Sequence, residues 1–414
     1  VVAVHILFLT DNFPPEVNAP ASRTYEHCRE WVKAGHSVTV ITGQPNFPRG
    51  RVFDGYKNRW RTTEMVDGIK VVRTWTYITA NEGFIKRTLD YLSFMAMATI
   101  AAMGVRRPDV IVATSPQFFT ACAGCVVSRL RRAPWVFELR DMWPESIRAV
   151  GAMKEGIALR LLERLELFLY RDAAAVVSVT HAFKSNLVQR GVAGAKIHVV
   201  TNGADLSHFK PRPRDLDLAR ALGLEGCFVA GYVGTHGMAH ALDTLLDAAE
   251  LVRERPGGEK VRLLLLGDGA SKEALQARAK AKGLTNVVFV DSVPKAEVAR
   301  FWSLLDVAVI HLKRTPLFRT VIPSKLFECM AMGLPVLHGV EGESAEIVIR
   351  DGAGVVFEPE NAAALADALL RMAADAEGRL EMASRALSAA SRYDRVVLAA
   401  SLLETLDKIT AKGE

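Results

Sequence analysis

Residues 227–234 read CFVAGYVG, an apolar run of strand length that closes on a glycine. The continuation of the chain decides the fold. A helical pattern fills 240–254, and a second apolar run, VRLLLLGDG, fills 261–269 and again ends in glycine. The unit then repeats. Helix 271–282 leads to VVFVDSV (287–293), helix 295–303 to VAVIHL (307–312), helix 324–332 to PVLHGV (335–340), and a last helical stretch occupies the chain after Asn361. Continuous apolar runs joined by helices are the pattern of parallel strands buried on both faces; a half-exposed antiparallel sheet would alternate instead. Upstream the rhythm is the same. HILFLT (5–10), SVTVIT (37–42), IKVVRTW (69–75), DVIVATS (109–115), WVFELRD (135–141), AAVVSVT (174–180) and KIHVVTNG (196–203) read as strands, with a helix over 21–34 after the first. Between the two series, Phe209–Asp217 reads FKPRPRDLD, with two prolines and five charges, a linker by composition. The expectation is an α/β chain of two doubly wound domains, 1–208 and 209–392, with a cleft between them.

The 414 residues suit two or three domains, and a hydrophobic share of 50% with 24% charged is globular composition. The net charge of +6 and the pI near 9.0 favour an anionic partner: nucleic acid, anionic lipid or a phosphorylated small molecule. No long basic tract, zinc spacing or arginine-rich tail supports nucleic acid. The five cysteines are few for this length and read as reduced, intracellular thiols. Cys122 and Cys125 form a CxxC within TACAGCVV, which reads as one face of a packed helix, because no second pair completes a metal site. The opening VVAVHILFLTD has no charged leader and reads as a buried first strand, so no cleavable signal is expected. The longest uncharged apolar run, Tyr91–Val105, is shorter than the roughly 20 residues a spanning helix needs. It lies between Lys86–Arg87 and Arg106–Arg107, and fits either a membrane-surface helix or a core helix with charged ends.

In open α/β sheets ligands bind beyond the carboxyl ends of the strands, so the strand-end segments carry the candidate chemistry. GYVGTHG, Gly231–Gly237, puts glycines between a strand and a helix, where backbone amides hold a phosphate. A tight turn without ligand explains it equally well. His236 and His240 add donors, and GDG at Gly267 ends the next strand. In IPSKLFECMAMGLPV (322–336), Pro323 lies just outside a helix and Ser324 is the expected cap. Lys325 then sits at a helix start, against the dipole, and suits a diphosphate. Glu328, three residues on, shares its face and suits adjacent sugar hydroxyls. A surface ion pair between the two is the alternative. FELRDMWPE (137–145) brings Arg140, Asp141, Trp143, Pro144 and Glu145 after a strand, where a carboxylate orients or deprotonates a hydroxyl. The alternative there is a turn with Arg140 and Asp141 paired. Asp11, Asn12, Glu16 and Asn18 ring the first loop, Asn46 and Arg49 follow the second strand, and Ser115, Gln117, His181 and Lys184 lie at two more strand ends.

Five segments carry a resemblance to a known family: GHSVTVIT (35–42), VVTNGADLSHF (199–209), LLLLGDG (263–269), VDSVPKAEVARFWSLLDVAVI (290–310) and PSKLFECMAMGLPV (323–336). In this order they resemble the retaining glycosyltransferases of family 4, which have the GT-B architecture. That implies two Rossmann-like, doubly wound domains facing across a cleft, with a C-terminal helix (393–414) crossing back to the first. TDNFPPEVNAPASR, GQPNFPRGR, FELRDMWPES and IPSK look more narrowly like the branch that adds N-acetyl-fucosamine in bacterial O-antigen and capsule synthesis. The resemblance implies a UDP-linked 2-acetamido-deoxyhexose as donor, with no bound cofactor and no metal. It implies a sugar on a polyprenyl diphosphate as acceptor and a cytoplasmic enzyme peripheral on the inner membrane face. It gives Glu328 the ribose and sets Gly234, Thr235, His236 and Gly237 near the diphosphate, with Ser324, Pro323 and Gly267 beside them. Asn18 falls in the region facing donor phosphate and acceptor. Lys325 is expected to meet leaving-group charge, and Arg140 and Asp141 to serve the acceptor side. The family signature has two glutamates with seven residues between; here the first position is Thr320, and Arg140–Asp141 stands where many relatives have His–Asp. A sugar-nucleotide epimerase, a transferase with a soluble acceptor and a non-catalytic sugar-nucleotide binder are the rival readings. A dehydrogenase is disfavoured, because no full dinucleotide fingerprint follows either opening strand.

Overall fold

In a computed structural model the residues 3–47, 50–79, 84–143 and 156–411 are described. Arg49, Pro144 and Glu145, expected as strand-end residues, lie outside them. The chain divides into two compact units, Val1–Thr201 with Arg395–Glu414, and Asn202–Asp394. The division therefore falls before the 208/209 position suggested by composition. The expected linker is part of the second unit: Phe209 is buried in its core, and Asp215 caps the short helix Leu216–Ala221 by accepting from the Leu218 N–H.

The first unit is an eight-stranded sheet. Its strands are β1 (His5–Leu9), β2 (Ser37–Gly43), β3 (Arg61–Val66), β4 (Ile69–Thr74), β5 (Val110–Thr114), β6 (Trp135–Leu139), β7 (Ala175–Ser178) and β8 (Ile197–Val199), in the order β3-β4-β2-β1-β5-β6-β7-β8. All neighbours are parallel except β3 against β4. Alternation along each strand splits the core. Leu7, Leu9, Ile111, Ala113 and Phe137 face helices α2 (Phe84–Met103), α3 (Phe118–Arg131), α4 (Ile157–Asp172) and α5 (His181–Gln189). Ile6, Phe8, Val110, Val112 and Val136 face α1 (Ala19–Lys33) and the terminal helix Arg395–Thr410, whose Leu398, Leu402 and Leu406 are core residues of this unit. The apolar run Tyr91–Val105 lies in and just after α2 and divides between the two expectations: Phe94, Ala98 and Ala102 are buried, while Leu92, Ile100 and Met103 are exposed. No helix among the described residues is long and apolar enough to cross a membrane. Cys122 and Cys125 lie on α3 as free thiols, with Cys125 buried in the core.

The second unit is a six-stranded, wholly parallel sheet. Its strands are β9 (Phe228–Val233), β10 (Val261–Leu266), β11 (Val287–Val290), β12 (Val307–His311), β13 (Val336–Gly339) and β14 (Gly354–Val356), in the order β11-β10-β9-β12-β13-β14. After α6, the helix 216–221, come α7 (Asp243–Arg253), α8 (Lys272–Ala281), α9 (Lys295–Trp302), α10 (Lys325–Ala331), α11 (Glu343–Asp351), α12 (Ala362–Ala374) and α13 (Ala376–Ala390). One face packs α7, α8 and α12 against Tyr232, Leu263 and Leu265; the other packs α9, α10, α11 and α13 against Leu264, Leu266 and Ile310. In each unit the order reverses beside the first strand, between β1 and β5 and between β9 and β12. Those are the crevices where such sheets hold ligands.

Candidate functional site

At the second unit's reversal point, β9 ends in Tyr232–Val233–Gly234. Gly234 has φ 143, a region that L side chains rarely adopt, and a Cβ there would lie 2.6 Å from the Lys325 Nζ. Glycine is therefore required for both backbone and space. Gly267, at the end of β10, has φ 149, and a Cβ on it would collide with the Gly234 carbonyl. The two turns are laced together: Gly234 N–H donates to the Leu266 carbonyl at 2.9 Å, His236 N–H to the Asp268 carbonyl at 2.8 Å, and Ser271 N–H to the His236 carbonyl at 2.9 Å. Lys272, almost fully buried, closes the loop from behind, donating to the Gly267 carbonyl at 2.8 Å and to Asp291 at 2.5 Å. Gly237 is extended, and the exposed Thr235 offers its carbonyl to the Tyr232 hydroxyl at 2.8 Å.

Lys325 opens α10 and reaches into this turn. Its Nζ lies 3.7 Å from the centre of the Tyr232 ring, a cation–π contact, and is buried with no hydrogen-bond partner. Burial lowers its pKa to about 8, against the opposing charge of Glu328 and the Cys329 thiol. Lys325 forms no ion pair with Glu328, which sets aside the surface-pair alternative. Glu328 is half-buried one turn on. Ser324 occupies the position before α10, but its side chain makes no cap bond and its backbone is already helical. The expected cap is thus corrected: the Pro323 and Ser324 carbonyls, at 3.0 and 3.1 Å from the Leu326 and Phe327 N–H groups, begin the helix without the hydroxyl. Thr320, in place of the first signature glutamate, spends its hydroxyl on the Leu317 carbonyl at 2.7 Å.

The site's histidines are neutral. His236 is buried with no partner on either ring nitrogen; burial, then Lys272 and Lys325, lower its pKa to about 4. Burial and Lys325 take His240 to about 4 as well. The His311 Nδ1 lies 2.8 Å from the His240 carbonyl, and its Nε2 accepts from Glu360 N–H at 2.9 Å. That pair of partners fixes a neutral tautomer with the proton on Nδ1, and ties the 238–241 turn to the segment after β14.

The remaining candidates lie in the first unit. Arg140 and Asp141 follow β6, and both their N–H groups donate to the Ser115 hydroxyl, at 2.8 and 3.2 Å. Among the described residues no ion pair joins Arg140 to Asp141, and the Arg140 Nε and Nη1 are buried without a hydrogen-bond partner. Burial lowers the Arg140 pKa to about 9, with Glu138 opposing and Arg23 and Arg395 reinforcing the shift. Glu138 itself holds Arg23 at 2.9 Å. Asn18 caps α1, accepting from Ala21 N–H at 2.9 Å, and donates to Asn12. Asp11 meets Asn12 and Gln117; burial, then Asp90 and Glu16, hold its carboxyl well above the usual range. The roles of Tyr232, as the ring under Lys325, and of Lys272, as the bond closing the loop, were not anticipated from the sequence. Among the described residues no group of three or more His, Cys, Asp or Glu is placed to hold a metal ion.

Comparison with known proteins places a family match on each unit. Residues 18–203 match the Glycosyl transferase 4-like domain, and residues 227–375 match Glycosyl transferases group 1. WcaI of Escherichia coli K12, named for colanic acid biosynthesis glycosyl transfer, is 26% identical over 376 residues, 87% of this chain and 90% of that one. Sucrose-phosphate synthase from Thermosynechococcus elongatus superposes with a TM-score of 0.78 at 17% identity, over 99% of this chain and 100% of that one. HepE of Anabaena, solved with UDP and glucose, superposes with a TM-score of 0.71 at 19% identity, over 98% and 100%. Two Rossmann-like units, a terminal helix returned to the first and a glycosyl-transfer domain matched on each make the chain a family-4-like glycosyltransferase of the GT-B fold.

Proposed function

We propose that the enzyme moves a 2-acetamido-deoxyhexose, N-acetyl-L-fucosamine, from a UDP-linked donor to a sugar carried on a polyprenyl diphosphate, in O-antigen- or capsule-type polysaccharide synthesis. The observation that carries this reading is the Lys325 ammonium, buried without a hydrogen-bond partner at the glycine turns that end β9 and β10. An unpartnered buried cation is costly, and an anion at the turn relieves that cost. Backbone amides of a glycine turn are the fitting second donor set for a phosphate. The HepE structures with UDP support a UDP-linked donor, and WcaI's name for colanic acid biosynthesis glycosyl transfer supports the pathway class.

In this reading the bond between the anomeric carbon and the UDP oxygen breaks as Lys325 and the amides of Thr235 and Gly237 take up the charge developing on the diphosphate, while Gly234 and His236, whose N–H groups bond the Leu266 and Asp268 carbonyls, hold the turn in shape. Gly267 keeps the turn open, and Pro323 and Ser324 set where Lys325 begins its helix. Glu328 accepts from the ribose hydroxyls. Asp141 orients the acceptor hydroxyl, with Arg140 beside it and Asn18 holding the first loop. The acceptor's lipid sets the enzyme peripherally on the anionic inner face of the cytoplasmic membrane.

The test is UDP release from a panel of UDP-sugars, with and without lipid extract. Release from the UDP-acetamido sugar that requires the extract, with weaker UDP affinity in Glu328→Ala by calorimetry, is the expected result. Turnover of the donor without acceptor would mean an epimerase. Transfer to a water-soluble sugar alone would remove the lipid-linked acceptor. UDP binding with no turnover would remove the catalytic reading. The anomeric proton coupling in the product distinguishes retention from inversion.

A further inference from the structure

Three of the six tryptophans, Trp31, Trp135 and Trp302, are core residues, but Trp60 and Trp75 are 63% and 39% exposed. They are neighbours. The β3–β4 register pairs Glu64 with Val71, Thr62 with Arg73 and Arg61 with Thr74, and one step further the Trp75 N–H donates to the Trp60 carbonyl at 3.2 Å. Alternation then puts Trp60, Thr62 and Glu64, with Trp75 and Arg73 opposite, on one face of the ribbon. Neither indole has a ring partner or a hydrogen bond among the described residues. A cavity of about 270 Å³ opens along that row, walled by Tyr56, Lys57, Arg59, Thr62, Glu64 and Arg73, with Gln44 beside Thr62. Arg73 is spoken for: it is buried, bonds Glu64 at 2.6 Å and the Gly43 and Pro14 carbonyls, and stacks at 5.1 Å on Tyr56. It braces the wall; Gln44 donates to the Thr62 hydroxyl at 3.3 Å, and the Tyr56 phenol, the Lys57 ammonium, the Arg59 guanidinium and the second Glu64 oxygen are left to meet a ligand.

We infer that the β3–β4 ribbon of the first unit is a saccharide-binding site, in which one pyranose ring enters the cavity and the next lies against Trp60 and Trp75. This rests on the reading that the acceptor is a sugar, and it adds that the acceptor is held at more than one ring. Rigid, amphipathic indoles give large contact area at low entropic cost, and the wall has the mixed donors and acceptors that ring hydroxyls need. The lining side chains are polar or charged, which suits ring hydroxyls better than an acyl chain; Lys57 and Arg59 stand beside the Glu64–Arg73 pair, so an anionic headgroup is the rival occupant that the vesicle arm of the test reads.

The probes are the methyl glycosides of glucose, galactose, mannose, fucose and the 2-acetamido hexoses, together with N,N′-diacetylchitobiose. Each is tested by saturation-transfer NMR against the full chain without UDP. The expected result is transfer from at least one probe that is lost in Trp60→Ala/Trp75→Ala and kept in Trp60→Phe/Trp75→Phe, with thermal melting unchanged in the Phe pair. Calorimetry of UDP on the same samples reads the second unit separately, so that failure there does not count against this site. Transfer that survives the alanine pair, or none from any probe, overturns the site. Loss of anionic-vesicle binding with no loss of saccharide transfer would reassign the indoles to a membrane edge and overturn it equally.

Discussion

A single ammonium separates the site's stability from its activity. The Lys325 ammonium is buried, unpartnered and pressed against Tyr232 and Gly234. In Lys325→Met the chain length is kept and the charge removed, so turnover with the proposed donor should fall by roughly 10²–10³, the usual effect of deleting one preorganised electrostatic group. The melting temperature should hold or rise, because a buried charge without a partner has been removed. The pH dependence has the same logic. The Lys325 pKa is about 8 in the folded chain against the usual 10.5. Between these values the unfolded chain keeps a proton the folded chain has lost, so this group's contribution to stability rises with pH while kcat/KM falls. A kcat/KM profile flat through pH 8–10 would sink the role. Lys325, Glu328 and Gly234 were legible in the sequence because charge at a helix start and glycine after a strand are local signals. Tyr232 was not, since within GYVG it reads as one more core residue, and only the packing of α10 beside β9 gives its ring a cation. Ser324 was misread because a hydroxyl before a helix is a statistical cap, and here the Pro323 and Ser324 carbonyls already start the turn.

At the scale of elements, the buried parallel strands were readable because each is apolar on both faces. β3 was missed because it is an edge strand, alternating exposed and half-buried residues, and pairs antiparallel through Asp67–Gly68, both with positive φ. That hairpin signal is read from the turn, not from the strand. β14 has only three residues, too few for any period. The membrane expectation, placed on α2 by sequence, is broader in the fold. α2 exposes Leu89, Leu92, Ile100 and Met103; α3 exposes Val126 and Leu130; α4 exposes Ile157, Leu161, Leu165 and Phe168. These three helices lie on one face of the first unit's sheet. Lys86, Arg87, Arg106, Arg107, Arg160 and Arg164 are exposed around the apolar stripes. An apolar face set with cations fits an anionic bilayer. Leu161→Glu with Phe168→Glu should reduce flotation with phosphatidylglycerol vesicles by about tenfold or more, since each side chain loses part of the ~1.5–3 kcal/mol that burial provides. Wild-type binding should weaken with salt. Equal flotation of variant and wild type would remove the surface from the proposal.

For the whole molecule, the two units carry opposite provisions against acid. In the second unit burial lowers the pKa of His236, His240, His311 and His338, to about 4 for the first two and about 3 for the last. A histidine whose folded pKa is depressed contributes stability that is complete above its unfolded value, 6.5, and is lost as pH falls from there toward the folded value. Asp215, Asp291, Asp351 and Glu358, lowered by hydrogen bonds and arginine or lysine partners that outweigh burial, lose their contribution lower still. In the first unit His5, His27 and His198 are also lowered, but three carboxyls move the other way. Burial raises Asp11, Glu16 and Asp90, the last to about 6. The folded chain therefore takes up their protons first as pH falls, and gains stability across the window in which its histidines lose it. The units have separate cores and should melt as separate transitions. Calorimetric scans from pH 7 to pH 5 should move the second unit's transition down further than the first's, with amide exchange assigning each transition to its unit. Asp90→Asn, which keeps the shape and removes one of the three titrations, should make the first unit's transition more acid-sensitive than in the wild type. If both transitions move together in the wild type and the variant changes neither, the carboxyl offset is not what distinguishes the two halves.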